Sequence, residues 1–374
     1  MPRVLVLALE NWLGAARLPK ALRSAGFEVS VLCYPNTLIS LTKYIDDRDI
    51  CLPSDSAEIV VQRIMGLLEG HKTRMIIPAD DRALRFMQHI VEVTPTGRLP
   101  MILTDLVRAS LPDPDSFPYG QNKEAATELM IGFGVRTPAR SLIWNRKELR
   151  DFVSEIGLPV VLKPLSGTAG QGVQILRTAD DVENATIEGA QWMAQQYIVG
   201  KSAGSASVAL DGKCLATIVF EKTLTYPGEM GPASVVTRVD SEEVKRAAAA
   251  FAKATNYNGF YSPGFMIEES TGLPYFLEVN TRCVPVIPSA AKLGVDLCRA
   301  LYARMVGAPI PEPDESAPRM MALYPQELHR DPNSPYREHI LDEPTDDPLL
   351  HRAMEKGIAM LAAERGLTNV GATH

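Results

Sequence analysis

Residues 159–176 combine a lysine at the end of an apolar strand with a loop rich in glycine. The strand ends at Lys163, and three glycines follow before a second apolar strand: Gly167, Gly170 and Gly172. Backbone N–H groups in such a loop approach an anion closely because glycine has no Cβ, and the lysine adds a positive charge. A Walker A loop or a dinucleotide-binding loop would lead into a helix, whereas a strand follows here. The pattern predicts a hairpin flap over nucleotide phosphates.

Further along the chain, three polar groups occupy alternate positions: the carboxylate of Glu278, the amide of Asn280 and the guanidinium of Arg282. Alternate residues of a strand project from one face, so these groups are predicted to lie together. Mg²⁺ takes oxygen ligands and arginine binds a phosphoryl or carboxylate group, so a magnesium phosphate would satisfy all three. A solvated strand face is the alternative interpretation. The apolar neighbours Phe276 and Val279 favour burial.

The elements that position these residues begin with a small α/β unit at the N terminus. Residues 4–9 are a continuous apolar run, which is typical of a strand buried on both faces of a parallel sheet. A helix and a second strand over residues 27–33 complete a β-α-β unit, and further strands are predicted at 75–77 and 101–104. The sequence thus predicts a doubly wound parallel-sheet domain over residues 1–115.

Three more units follow in the predicted organisation. A proline-rich linker at residues 111–118 leads into a small α+β lobe over residues 116–193, which carries the glycine flap. Residues 194–310 form a larger lobe with the predicted metal site, and residues 311–374 form a C-terminal extension. The predicted fold class is therefore α/β, with one doubly wound domain and two α+β lobes.

Composition and charge restrict the class of partner. The 374-residue chain has a formal charge of −7, which gives no general attraction for nucleic acid or an anionic membrane. Its five cysteines include no Cys-x-x-Cys pair, so neither a disulfide framework nor a zinc site is predicted. No apolar run approaches the roughly 20 residues of a membrane span. We expect a cytoplasmic protein with small-molecule partners and no nucleic acid or membrane partner, and a homodimer is compatible with the sequence.

Five segments, taken in order, resemble the ATP-grasp superfamily, most nearly biotin carboxylase and the large chain of carbamoyl phosphate synthetase. The resemblance covers residues 1–305 and implies an ATP-grasp fold that binds ATP and Mg²⁺. The five segments are the helix that contains Lys123 and residues 159–164, 166–172, 195–200 and 276–282.

The resemblance also implies roles in binding the ATP phosphates. Lys123 and Lys163 would contact these phosphates, and the flap would close over them. Taken alone, Lys123 is equally typical of an exposed helix surface. The flap residues implied to take part are Ser166, Gly167, Gly170 and Gly172.

The resemblance also implies which residues bind the adenine and the metal. Glu278 and Asn280 would hold Mg²⁺, and Arg282 and Lys163 would be the catalytic residues beside the transferred phosphoryl group. The implied adenine hinge consists of Gln195, which would use its side chain, and Gln196 and Ile198, which would use backbone groups. Taken alone, the two glutamines are ordinary polar strand residues.

The sequence departs from the superfamily pattern at three positions. Gly264 stands where an acidic metal ligand is expected, so either Glu278 bridges both ions, or another acid such as Glu221 reaches in, or one metal position is lost. No acid just after Gly200 is available for the ribose. Val286 replaces the glutamate with which biotin carboxylase activates bicarbonate, whereas an organic acid ionises by itself at neutral pH.

These residues together predict an ATP-dependent, ADP-forming ligase that activates a carboxylate as an acyl phosphate and joins it to an amine. Two alternatives stay open. Gly264 and the absent ribose acid favour an ATP-binding protein with weak or no catalysis. A bicarbonate-using carboxylase or a carbamoyl phosphate synthase-like enzyme is the other, and Val286 argues against it.

Overall fold

Three β-sheets carry the described part of the chain. The structure is a computed structural model that describes residues 1–93, 99–166, 172–187, 189, 191–229 and 231–357. The predicted flap glycines Gly167 and Gly170 lie outside these residues.

The N-terminal domain is a parallel sheet with helices on both faces. Its strands are β1 (Arg3–Ala8), β2 (Glu28–Cys33), β3 (Asp47–Ile50) and β4 (Thr73–Pro78), in the order β3-β2-β1-β4. Its helices are α1 (Leu18–Ala25), α2 (Ala57–Leu68), α3 (Asp81–Val93) and α4 (Met101–Ser110). Along β1, Val4 and Val6 point into one core and Leu5 and Leu7 into another. The predicted doubly wound sheet is confirmed.

One predicted strand of this domain is a helix instead. Residues 101–104 belong to α4, whose buried side chains Leu103, Val107 and Ser110 recur at the three- to four-residue spacing of a helix. The strand prediction was wrong because a segment of four residues does not distinguish the helical period from the strand period. The Ser110 hydroxyl accepts a hydrogen bond of 2.9 Å from the Ile76 N–H, which ties α4 to β4.

A second, antiparallel sheet forms the small lobe. Its strands are β5 (Arg140–Ile143), β6 (Val160–Pro164), β7 (Gln174–Leu176) and β8 (Trp192–Gln196), in the order β5-β8-β6-β7. The helices of this region are α5 (Phe117–Gln121), α6 (Lys123–Gly132), α7 (Arg146–Ile156) and α8 (Ala179–Asn184). Strands β6 and β7 pair antiparallel on either side of the predicted flap, so the hairpin that carries it is confirmed.

The third sheet is the largest and is also antiparallel. Its strands are β9 (Gly200–Leu210), β10 (Lys213–Thr225), β11 (Ala233–Arg238), β12 (Gly259–Glu268), β13 (Pro274–Asn280) and β14 (Met320–Ala322), in the order β13-β12-β9-β10-β11-β14. The helices are α9 (Glu242–Ala254), α10 (Leu297–Val306) and α11 (Gln326–Arg330), and residues 348–357 are also helical. Strand β14 comes from the predicted C-terminal extension and pairs with β11. The domain boundaries remain predictions.

The two faces of the large sheet pack against different partners. On one face, Phe276 lies in a core with Met130 of α6 and Phe251 of α9. On the other face, Val208 and Phe220 share a core with β1 of the N-terminal domain. The small lobe has a separate core between its sheet and helices α7 and α8. No described helix has the length and apolar character needed to cross a bilayer.

Candidate functional site

A cleft of about 700 Å³ lies between the small sheet and the large sheet. Lys163 and Gln195 line it from the small sheet, Glu278 and Lys222 from the large sheet, and Lys123 from α6. A smaller pocket of about 140 Å³ adjoins this cleft. The predicted phosphate, hinge and metal residues are thus brought to one region.

Lys163 lies at the end of β6 and is only 6% exposed. Its ammonium donates hydrogen bonds to Gln195 Oε1 at 3.0 Å and to the Leu277 carbonyl at 3.4 Å, so it reaches from the small sheet to the large one. Burial lowers the pKa of Lys163 to about 8, although the nearby Glu278 carboxylate opposes the shift. An anion in the cleft would stabilise this charge further.

Lys123 is the first residue of α6, and its position is fixed by the way this helix begins. The Asn122 side chain caps the helix by accepting hydrogen bonds from the next backbone N–H groups. The Lys123 N–H itself donates to the Leu165 carbonyl just after β6, at 3.1 Å. The Lys123 ammonium lies 3.8 Å from Glu278 Oε2. The start of α6 therefore places Lys123, a predicted phosphate contact, close to Glu278, a predicted metal ligand.

The predicted hinge residues border the cleft but differ in which groups are available. The Gln195 Nε2 is buried and has no hydrogen-bond partner among the described residues, so an adenine acceptor would satisfy it. The Gln196 N–H donates to the Ala139 carbonyl at 2.8 Å, so this group is not available to an adenine. Ile198 is 5% exposed and lines the cleft.

Two flap residues lie within the described part of the chain. Ser166 is exposed just after β6. Gly172 has a φ of 75°, which favours glycine, and a Cβ there would lie 3.3 Å from Pro164 Cγ. Gly172, just before β7, therefore has a backbone conformation that favours glycine.

Glu278 and Asn280 lie on β13, which ends at Asn280, and both line the smaller pocket together with Arg282 just beyond the strand. Arg282 is 7% exposed, and its guanidinium lies over the ring of Trp12 at 5.3 Å from the centroid. Asp81 Oδ1 lies 2.8 Å from Arg282 Nε, but off the N–H direction, so the contact is ionic. The N-terminal domain thus holds the arginine against the large lobe.

The acid next to Asp81 has a structural role. The buried Asp80 carboxylate accepts hydrogen bonds of 2.8 Å from the N–H groups of Leu9 and Ala83. Burial raises the pKa of Asp80 to about 6, and these hydrogen bonds oppose the shift. Asp80 joins the ends of β1 and β4, while Asp81 turns toward Arg282.

The strand next to Glu278 leaves an open space. Gly264 pairs with Glu278, and a Cβ at Gly264 would lie 3.6 Å from Glu278 Cγ, an ordinary contact distance. Glu221 lines neither the cleft nor the smaller pocket, and its carboxylate accepts a hydrogen bond from Lys201 at 3.1 Å. The described residues contain no group of three or more acidic, histidine or cysteine side chains arranged for a metal. Glu278 and Asn280 remain as donors, which fits one Mg²⁺ completed by phosphate oxygens.

Residues 121–285 match a family model described as an ATP-grasp domain. The chain contains an ATP-grasp domain. The predicted superfamily is therefore confirmed. The family model spans Lys123, the hairpin and both residues predicted to hold Mg²⁺.

Curated relatives of this ATP-grasp protein are mostly much longer. Carbamoyl phosphate synthase large chain from Ralstonia nicotianae is 24% identical over 314 residues, which cover 78% of this chain and 27% of the relative. Phosphoribosylamine–glycine ligase from Neisseria meningitidis serogroup B is 29% identical over 216 residues, which cover 50% of this chain and 51% of the relative. The chain spans about a quarter of the length of the carbamoyl phosphate synthases that it matches.

Solved structures show that the ATP-grasp fold extends beyond the matched segment. The biotin carboxylase domain dimer of Hydrogenobacter thermophilus 2-oxoglutarate carboxylase, in complex with MgADP, ADP and bicarbonate, has a TM-score of 0.62 and 19% identity. The alignment covers 86% of this chain and 74% of the Hydrogenobacter thermophilus domain. N5-carboxyaminoimidazole ribonucleotide synthetase from Thermotoga maritima has a TM-score of 0.58 and 16% identity, with coverages of 84% and 78%. The predicted fold class is confirmed.

The sequence did not reveal Lys222 as a residue of this site, and it pointed to Asp81 and to the loop of Trp12 only through their positions after strand ends. Lys222 on β10 lines both the cleft and the smaller pocket, as does Glu278. Burial lowers the pKa of Lys222, and Glu278 opposes the shift. A single lysine in a strand carries no distinguishing spacing, and Trp12 and Asp81 reach the site only through the packing of another domain.

Proposed function

We propose that this ATP-grasp protein is an ATP-dependent ligase that joins a carboxylic acid to an amine and releases ADP and phosphate. The observation that carries the proposal is the junction of two cavities. The cleft contains the cations expected to bind phosphates, and the smaller pocket contains Arg282. Both cavities are lined by Glu278 and Lys222, so a phosphoryl group in one would meet an acid in the other.

The nucleotide is proposed to be ATP with Mg²⁺. The Hydrogenobacter thermophilus neighbour was solved with MgADP, and the donors present here are consistent with it. Glu278 and Asn280 would hold the ion, and Gln195 Nε2 would find an acceptor on the adenine. When bound, Mg²⁺ neutralises the negative charge that the β and γ phosphate oxygens carry.

The proposed reaction has two balanced steps. An oxygen of the substrate carboxylate attacks the γ phosphorus of ATP, and the bond from that phosphorus to the bridging oxygen breaks, so ADP leaves with the electron pair. The amine nitrogen then attacks the acyl carbon, phosphate departs and the nitrogen loses a proton. Lys123, Lys163 and Arg282 would stabilise the negative charge on the transferred group, and the closed site would keep water from the acyl phosphate.

An organic acid suits the pocket better than bicarbonate does. Val286 is 3% exposed and stands where the resemblance to biotin carboxylase leads us to expect a base. Without that base bicarbonate would have to be deprotonated by another group, whereas a carboxylic acid is already ionised at neutral pH. ADP release that depends on bicarbonate would favour the carboxylase alternative.

We also propose a cytoplasmic location, small-molecule carboxylate and amine substrates, and no nucleic acid or membrane partner. The five cysteines are all free thiols, which agrees with a reducing compartment. A homodimer is proposed by comparison with the Hydrogenobacter thermophilus domain, which is described as a dimer.

A paired measurement tests the proposed function. Thermal unfolding with and without MgATP reports nucleotide binding, and ADP release over pairs of acids and amines reports turnover. Turnover with at least one pair is the expected result. Stabilisation by MgATP without turnover on any pair would instead favour the ATP-binding alternative, for which Gly264 is the supporting observation.

A further inference from the structure

The smaller pocket has a lining that is largely apolar, although charged residues stand where it meets the cleft. Its charged lining residues are Lys222, Glu278 and Arg282. Its large apolar lining residues are Trp12, Phe220, Val284, Pro285, Val286 and Leu323. Such a division suits a molecule with one charged end and one apolar end.

The apolar walls are parts of the main core. Phe220, Val284, Val286 and Leu323 are each less than 10% exposed and belong to the core shared by the N-terminal domain and the large lobe. Trp12 packs against the same core. Walls held in this way are preformed, so an apolar group would enter without having to order them.

The charged end of the pocket favours a carboxylate next to the cleft. The Lys222 ammonium is desolvated, and its charged neighbour is Glu278. The Arg282 charge is balanced by Asp81, while its remaining N–H groups include one that reaches the Cys283 carbonyl only at 3.4 Å. A substrate carboxylate between Lys222 and Arg282 would accept hydrogen bonds from both side chains and face the γ phosphate.

The size of the pocket limits the rest of the molecule. A cavity of roughly 150 Å³ accommodates a benzene ring, so this pocket of about 140 Å³ has room for an organic group of about six heavy atoms. A second carboxylate against the apolar walls would be buried without a partner, which is strongly unfavourable. A dicarboxylate is therefore excluded by the lining, and a bicarbonate ion would leave the pocket mostly empty.

We propose that the acid substrate is a small monocarboxylic acid with an apolar side group of about six heavy atoms. This inference rests on the proposed ligase function. Its carboxylate contacts Lys222 and Arg282, and its side group fills the space between Trp12, Phe220 and Val286.

Hydroxylamine tests the acid without knowledge of the natural amine. Its nitrogen attacks the acyl phosphate, phosphate leaves, and the stable hydroxamate is measured together with ADP. The full-length protein is assayed with MgATP, hydroxylamine and either 4-methylpentanoate or succinate, in which a carboxylate replaces the branched methyl end. We expect KM to be at least about 10-fold lower for 4-methylpentanoate, because the second carboxylate of succinate would be buried against apolar walls without a partner.

Two substitutions at one wall test the location. Val286→Phe should raise the KM for 4-methylpentanoate by about 10-fold or more and affect acetate less, and Val286→Ala should shift the preference toward longer acids such as octanoate. Val306→Phe is the matched control, because Val306 is 45% exposed on α10. If Val286→Phe fails to fold, Val286→Ala still gives the test.

The outcomes separate the two proposals. Hydroxamate from succinate in preference to 4-methylpentanoate would overturn the apolar-acid inference and leave the ligase proposal standing. ADP release that depends on bicarbonate would overturn both. An acid preference that neither Val286 variant changes would also overturn the inference. Absence of hydroxamate and of ADP with every acid would overturn both.

Discussion

Lys163 carries its charge at a buried position, where a charged group is unfavourable. It is 6% exposed, and burial lowers its pKa to about 8. Its two hydrogen-bond acceptors are the Gln195 amide and the Leu277 carbonyl, which leave one ammonium hydrogen for a ligand. The free protein thus bears a cost that a bound phosphate would remove, as is common at binding sites.

Replacing this lysine should therefore stabilise the free protein. Lys163→Met is expected to raise the free energy of unfolding near pH 7 and to have a smaller effect near pH 10. The folded pKa of Lys163, about 8, lies below the unfolded value, so the wild type gains stability as pH rises through this window and the advantage of methionine shrinks. Urea unfolding of the wild type and of Lys163→Met at both pH values measures this difference in the free energy of unfolding. An equal difference at pH 7 and pH 10 would show that desolvation of the lysine charge is not the cause.

Glu278 is the residue on which the metal proposal depends. Glu278→Gln should lower ADP release by about 100-fold or more, because the carboxylate is the proposed metal ligand and lies near three lysines. The fold should persist, since the side chain is 44% exposed. Glu269→Gln, in the exposed turn after β12, is the matched control. Full activity in Glu278→Gln would exclude the metal assignment.

At the level of elements, the sequence predicted the helices and strands whose hydrophobic pattern is long or is bounded by glycine. The β6–β7 hairpin and the helix at Lys123 were predicted correctly, because each has a local signal. Helix α4 was mistaken for a strand because only four of its residues were used.

The contact of α5 with the end of β13 has a testable consequence. A Cβ at Gly120 would lie 2.4 Å from Thr281 Oγ1, between Asn280 and Arg282 in sequence. Gly120→Ala should cost about 1–3 kcal/mol of stability and lower ADP release. Gly132→Ala, at the end of α6 with nothing within 4 Å, should not destabilise the protein. Denaturant titration of both variants compares them, and equal stabilities would contradict the close approach.

At the scale of the whole molecule, the site depends on contacts that no local pattern encodes. The N-terminal domain and the large lobe share one core, and through it Trp12 and Asp81 reach Arg282. The small lobe keeps its own core and meets the large lobe across the cleft. The sequence therefore predicted the residues within each lobe, while the smaller pocket, built from several separated segments, emerged only in the fold.

The central claim is that a carboxylate oxygen is phosphorylated by ATP in the cleft between Lys163 and Glu278. Isotope transfer tests it most directly: an acid labelled with ¹⁸O in its carboxylate is incubated with the protein, MgATP and hydroxylamine, and the released phosphate is analysed by ³¹P NMR. The account predicts one ¹⁸O atom in each phosphate formed during turnover, and none from Lys163→Met. Turnover that releases phosphate without the label would contradict the account.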